Sequence, residues 1–261
     1  MNFHPVTEKV LGLVEEKTGL PVIVNPDKTI GTLASVKIAR YGAPAHIVNY
    51  NPQVGHGIDY AVCFQCGYIL RAFGPPEGER FDFGMTYWGR RETEKLLTER
   101  LREKGLSFPK EVRSQLRDKL FDGMMLQLRS VPVGLRVDAW IGREHPDLAE
   151  QQKASVSRQV TDNIRSLTPE VRKIAPEKIF AASMGMNAAF AAYWSKAWND
   201  PLPLAPYRET GLLATGEALL TLWNDVPDDS ANDRKLIDAW GECLGLQGWY
   251  EFLPAGGGIH P

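Results

Sequence analysis

Cysteine is scarce in this chain: Cys63, Cys66 and Cys243 are the only three in 261 residues. So few thiols cannot build the dense bridge framework of a small secreted domain, so a disulfide scaffold is excluded and a reducing, cytoplasmic setting is expected. Net charge is scarce as well. Lys and Arg total 30 against 32 Asp and Glu, a formal charge of −2, so no chain-wide field draws the protein to nucleic acid or to an anionic membrane. Long apolar runs are missing, and none approaches the roughly 20 residues needed to cross a bilayer. The opening stretch, MNFHPVTEKVLGLVEEKTG, places His4, Glu8 and Lys9 where an export signal would carry an unbroken apolar core, which excludes that reading. No internal repeat and no low-complexity tract stands out.

What is present suffices for a sizeable buried core, in one large domain or two small ones, since 43% of the residues are hydrophobic. From Pro5 to Lys17 the apolar residues Val6, Val10, Leu13 and Val14 recur at helical spacing, and Gly19 follows where a glycine would end the helix. Three β-rich runs come next: LPVIVNPD from Leu20, TLASVKIAR from Thr32 and AHIVNYNP from Ala45. Asp27, Gly31 and Gly42-Ala43-Pro44 separate them with turn chemistry. The stretch DYAVCFQCGYILRAF, Asp59 to Phe73, fits a largely buried helix better than a strand.

Gly74-Pro75-Pro76-Glu77-Gly78 cannot continue that helix, because proline lacks the donor and clashes with the preceding turn. The expected boundary lies there, with a helix-sheet-helix part over 1–75 and a helical part over 76–261 that packs on it as one unit. Helices are expected over 92–104, 110–129, 145–167, 176–198, 211–223 and 233–244, punctuated by Pro132, Pro169, Pro201, Pro203, Pro206 and Pro227. The expected fold class is α+β: a small three-stranded sheet with its helices, then a mostly helical C-terminal part. The terminal AGGGIHP is expected to fray. Tyr193, Trp194, Trp198, Trp223, Trp240, Trp249 and Tyr250 read mainly as core, although WYEFLP near the end has the aromatic character of a partner-docking segment.

The 59–73 helix carries the functional question. Zinc hydrolases of the H-E-x-x-H type place two imidazoles at i and i+4, so that one helical turn aims both at the same ion, with a glutamate beside the first to polarise water. The order of elements here, and the pairing of HIVNYNP with DYAVCFQCGYILR, resembles the ImmA/IrrE-like zincin metallopeptidases over about residues 6 to 73. Aligning Gly67, Ile69 and Leu70 with that family's glycine and apolar pair puts Phe64 at the first histidine, Gln65 at the glutamate and Tyr68 at the second histidine. Phenylalanine cannot ligate, glutamine cannot take a proton at neutral pH, and tyrosine is a poor zinc ligand. The resemblance therefore implies the family's fold without its catalysis and without a metal or other cofactor. It also implies a protein or peptide partner in bacterial regulation or defence, held in a groove where Gln65, Tyr68 and Arg71 would supply polar contacts. Oligomeric state is left open.

Two other functions are carried forward. A metal-dependent hydrolase with relocated ligands would draw on His46, His56, Asp59, Cys66 or Asp138. A nucleic-acid-binding component would use the window Arg90–Arg117, which holds nine basic and five acidic residues, although charges so interspersed more often mark a solvated face laced with ion pairs. The C-x-x-C pair Cys63 and Cys66 lies inside an apolar helix and reads as buried free thiols, as does Cys243. In LRSVPVGLRVDAWIGREHPDL an Arg-Asp pair is expected to orient a loop between helices.

Overall fold

The computed structural model describes residues 3–40, 42–55 and 57–255. His56 and the terminal residues 256–261 lie outside the described residues, and with them the expected fraying of the end. The first helix, α1 (Pro5–Thr18), starts where the His4 ring accepts from the Val6 N–H and Pro5 occupies its first turn. It ends at Gly19, which takes a left-handed φ of 70° that only glycine adopts cheaply. Val10 and Val14 lie fully buried on its inner face.

The three β-rich runs form β1 (Val22–Pro26), β2 (Ala34–Lys37) and β3 (His46–Tyr50). They make one sheet in the order β1-β3-β2, with β1 parallel and β2 antiparallel to the central β3. Along β3 the residues His46, Val48 and Tyr50 are buried and alternate with half-buried ones, the two-residue period of a strand that covers a core. Helix α2 (Ile58–Phe73) follows and buries Val62, Cys63, Cys66 and Ile69.

The rest of the chain is mostly helical: α3 (Tyr87–Glu103), α4 (Lys110–Glu144), α5 (Ala149–Arg165), α6 (Pro169–Ile174), α7 (Glu177–Trp198), α8 (Ala205–Glu209), α9 (Leu213–Asp225) and α10 (Asp233–Cys243). It is not wholly so. A strand β4 (Phe81–Met85) pairs antiparallel with β5 (Tyr250–Pro254), so the WYEFLP segment docks on its own chain. Phe83 stacks on Tyr250 there, with centroids 5.2 Å apart.

The expected loop after Arg129 does not exist either, because α4 runs on through Pro132 for 35 residues. Proline removes one backbone donor from the ladder. Two side chains hold that turn in place: the Tyr68 hydroxyl donates to the Ser130 carbonyl at 2.7 Å and the Trp223 indole to the Pro132 carbonyl at 3.0 Å. The helix thus links two buried clusters. Met125, Leu128 and Leu135 join Met186, Phe190 and Trp240, while Val137 and Ile141 join Val14, Val48, Cys66 and Ile69.

Candidate functional site

Between the small sheet and the helical part lies a cleft of about 590 Å³, within the usual size of ligand clefts. Phe64, Gln65 and Tyr68 of α2 all line it. On α2 the three follow one side of the helix, and Tyr60, Phe64 and Tyr68 form a ladder of rings with centroids 5.8 and 5.2 Å apart. Gly134 of α4 allows this close approach: a Cβ there would stand 2.7 Å from the Tyr68 hydroxyl and 3.3 Å from the Phe64 ring. Gly67 similarly admits the Val137 side chain against the backbone of α2.

The polar contacts of these residues are spent inside the protein, contrary to the expectation that they await a ligand. Gln65 donates from Nε2 to the Ala34 carbonyl at 3.3 Å. The buried Tyr68 hydroxyl is committed to Ser130, and burial holds its pKa well above that of a free phenol. Arg71 binds Asp233 through Nε and Nη2, both at 2.7 Å, and Asp228 through Nη1 at 2.9 Å. A fork against a carboxylate is the strongest geometry a guanidinium finds, so Arg71 ties α2 to the start of α10. Arg136, fully buried, shares Asp233 at 3.3 Å and donates to the Val226 carbonyl at 2.7 Å. Burial and the neighbouring Arg71 lower the Arg136 pKa. Burial raises that of Asp233 against the pull of both guanidinium groups.

The donor set offered by Phe64, Gln65 and Tyr68 does not fit a zinc ion. Phe64 offers no ligand atom, the Gln65 amide nitrogen and the Tyr68 proton point to main-chain carbonyls, and a phenol held protonated by burial binds no cation. The other candidate residues lie apart. His46 accepts from the Ala39 N–H at 3.0 Å and meets the Thr18 hydroxyl at 3.2 Å, and burial lowers its pKa. Asp59 accepts from the His4 N–H and the Thr7 hydroxyl, both at 2.8 Å, at the first turn of α2. Cys66 is fully buried, with its thiol pKa raised by burial, and the Cys63 thiol is pushed up to about 12. Both are free, as is Cys243, which is exposed rather than buried because it sits on the outer side of α10.

Asp138 does not pair with an arginine in a loop. It is buried in α4, where Oδ1 accepts from the Tyr60 hydroxyl at 2.6 Å and from the Gln152 amide at 3.1 Å. With no cation bonded to it, burial pushes its carboxyl up to about 7. Among the described residues no three His, Cys, Asp or Glu side chains converge into a metal-sized cluster.

Two walls of the cleft were not read from the sequence. One is β4, whose Phe81, Asp82 and Phe83 border it; the alternation in FDFGM was the available signal. The other is the middle of α4, from Leu126 to Gly134. Arg40, just beyond β2, bonds Asp82 of β4 at 3.0 Å across one end. The basic window lies elsewhere and is partly neutralised. Arg90 pairs with Asp118 and Asp122 at 2.6 and 2.8 Å, and Arg113 and Arg117 pair with Glu94 at 3.0 and 3.6 Å.

No helix among the described residues is long and apolar enough to cross a membrane. No protein-family model, curated protein or solved structure matches this chain.

Proposed function

We propose that this chain is a zincin-like protein released from the metal requirement, which holds a protein or peptide segment in its cleft without cutting it. The observation that carries the reading is the coincidence of position. Phe64, Gln65 and Tyr68, which the resemblance aligns with the two histidines and the glutamate of the metallopeptidases, line the same cleft as β2, an outer strand of the small sheet. A groove walled by aromatic rings and a strand suits an extended polypeptide, because rings supply apolar contact area and a strand supplies main-chain hydrogen bonds. The partner belongs to a cytoplasmic regulatory or defence process, as the resemblance implies.

The test has two arms. Metal content of the purified protein, measured by mass spectrometry after a mild chelator wash, should be far below one equivalent; near-stoichiometric zinc would return the site to hydrolysis. Peptides selected from a displayed random library should bind the wild type and lose at least tenfold in affinity against Leu126→Arg, a change at an exposed cleft position. Selected peptides indifferent to that change would place binding outside the cleft.

A further inference from the structure

Which atoms of β2 and β4 face the cleft follows from strand parity. Successive side chains of a strand point to opposite faces, so a cavity that touches three residues in a row touches the strand's edge. The cleft touches Ala34, Ser35 and Val36 of β2, and Phe81, Asp82 and Phe83 of β4. Both strands therefore present an edge to it.

Hydrogen bonding gives the same answer independently. In the small sheet, His46 N–H bonds the Pro21 carbonyl and Asp27 N–H the Tyr50 carbonyl, so the even residues of β3 turn toward β1. Asn51 N–H bonds the Leu33 carbonyl, so the odd residues turn toward β2. Ser35 and Lys37 are consumed by that pairing, opposite Asn49 and Ile47, which leaves the N–H and C=O of Ala34 and Val36 directed away from the sheet. In the other sheet, Thr86 N–H bonds the Trp249 carbonyl and Ala255 N–H the Arg80 carbonyl. Even residues of β4 therefore serve β5, and the main-chain groups of Phe81 and Phe83 face outward. Among the described residues the Ala34 carbonyl alone of these outward groups has a partner within the chain, taking Gln65 Nε2 and the Thr32 hydroxyl.

We propose that the occupant of the cleft is one extended peptide strand that pairs with β2 on one side and β4 on the other. It would join the two sheets into a single sheet in the order β1-β3-β2-peptide-β4-β5. The proposal rests on the peptide-holding reading above and adds the mode of recognition. Unpaired strand edges are templates for a further strand, and here two edges share one cleft with the Arg40–Asp82 bond fastening one end. Gln65 sets where pairing starts, since it occupies the outward carbonyl of Ala34 and leaves those of Val36, Phe81 and Phe83 to the ligand. The peptide's side chains alternate between the aromatic floor formed by Phe64 and Tyr68 and the solvent side, so its sequence alternates apolar and polar.

An N-methyl scan separates this mode from ordinary edge binding. A strand paired on both sides uses every main-chain N–H, whereas a strand added to one edge uses alternate ones. The probe is the tightest hexapeptide selected from a displayed random library on the full chain, with Leu126→Arg as counter-selection. It is resynthesised with one N-methyl group at each position in turn. The expected result is a loss of roughly tenfold in affinity at consecutive central positions, one hydrogen bond each, together with slower amide exchange at both Val36 and Phe83 on binding. Loss at alternate positions only, with Phe83 exchange unchanged, would overturn the two-edge pairing and leave the peptide-holding reading standing. Failure to select any cleft-dependent peptide would overturn both.

Discussion

The Tyr60 hydroxyl donates to the Asp138 carboxyl over 2.6 Å, joining α2 to α4 through a hydrogen bond sealed from water. Gln152 adds a second donor to the same oxygen, and no cation bonds it. Two neutral donors only partly offset the cost of burying a carboxylate, so the acid is held to about 7 against an ordinary 3.8.

That bond has a pH consequence with a definite sign. Between 3.8 and about 7 the folded chain holds a proton at Asp138 that the unfolded chain has released. Asp138 is therefore least costly to the fold below the lower value, and stability is lost as pH rises through this window, by on the order of 4 kcal/mol in total. His46 and His145, both lowered by burial, act oppositely, since their share of stability is lost as pH falls below 6.5. Asp138→Asn isolates the carboxyl. Its unfolding free energy minus that of the wild type should rise by several kcal/mol between pH 4.5 and pH 8.5 in urea titrations. A difference that does not vary with pH would mean that Asp138 ionises like a surface carboxyl.

Thiol accessibility should divide the cysteines two to one. Cys63 and Cys66 are fully buried and held protonated, while Cys243 is exposed and reachable by a reagent although partial burial raises its pKa too. A thiolate is the reactive form, so an aromatic disulfide reagent at pH 8 should titrate one equivalent quickly in the native protein and three in denaturant. Two or three fast native equivalents would show that α2 opens readily.

The parts of this fold legible in the sequence are those whose signals are local. Pro5 and Gly19 bracket α1, β-branched residues between turn residues mark the three strands, and an apolar run marks α2. Contacts between distant segments left a fainter trace, such as the short alternation in FDFGM. β4 is a strand because β5 returns from the far end of the chain to pair with it, and α4 passes Pro132 where Tyr68 and Trp223 bond the Ser130 and Pro132 carbonyls. The site shows the same division. That Phe64, Gln65 and Tyr68 share one side of α2 is legible from their spacing, but that Arg71 and Arg136 converge on Asp233, leaving Asp138 to Tyr60, depends on helix packing that spacing does not encode.

The shared carboxylate of Asp233 should be costly to remove. Arg136 has no exposed surface, and its next carboxylate, Asp228, stands at 3.7 Å. Asp233→Ala leaves a buried guanidinium without its main counter-charge and frees Arg71 from α10, a change that typically costs about 3 to 5 kcal/mol. The denaturation midpoint should fall accordingly. A loss under about 1 kcal/mol would mean that solvent or Asp228 takes over the pairing.

The contact between α2 and α4 can be tested by a mutant cycle, because one atom does most of the crowding. Gly134→Ala puts a methyl group 2.7 Å from the Tyr68 hydroxyl, with the Tyr68 ring carbon behind it at 3.7 Å and Phe64 at 3.3 Å. The single variant should lose about 1 to 3 kcal/mol through overpacking. Tyr68→Phe alone should lose about 1 kcal/mol with its bond to Ser130. In the double variant the clashing oxygen is gone and the nearest Tyr68 atom lies at ordinary contact distance, so the combined loss should fall short of the sum by about 1 kcal/mol or more. The remaining strain comes from Phe64, which lines the same cleft and cannot shed an atom. Additive losses would mean that the helices yield by moving apart, and peptide affinity in the single Gly134→Ala variant would then fall along with stability, because both walls of the cleft are set by that separation.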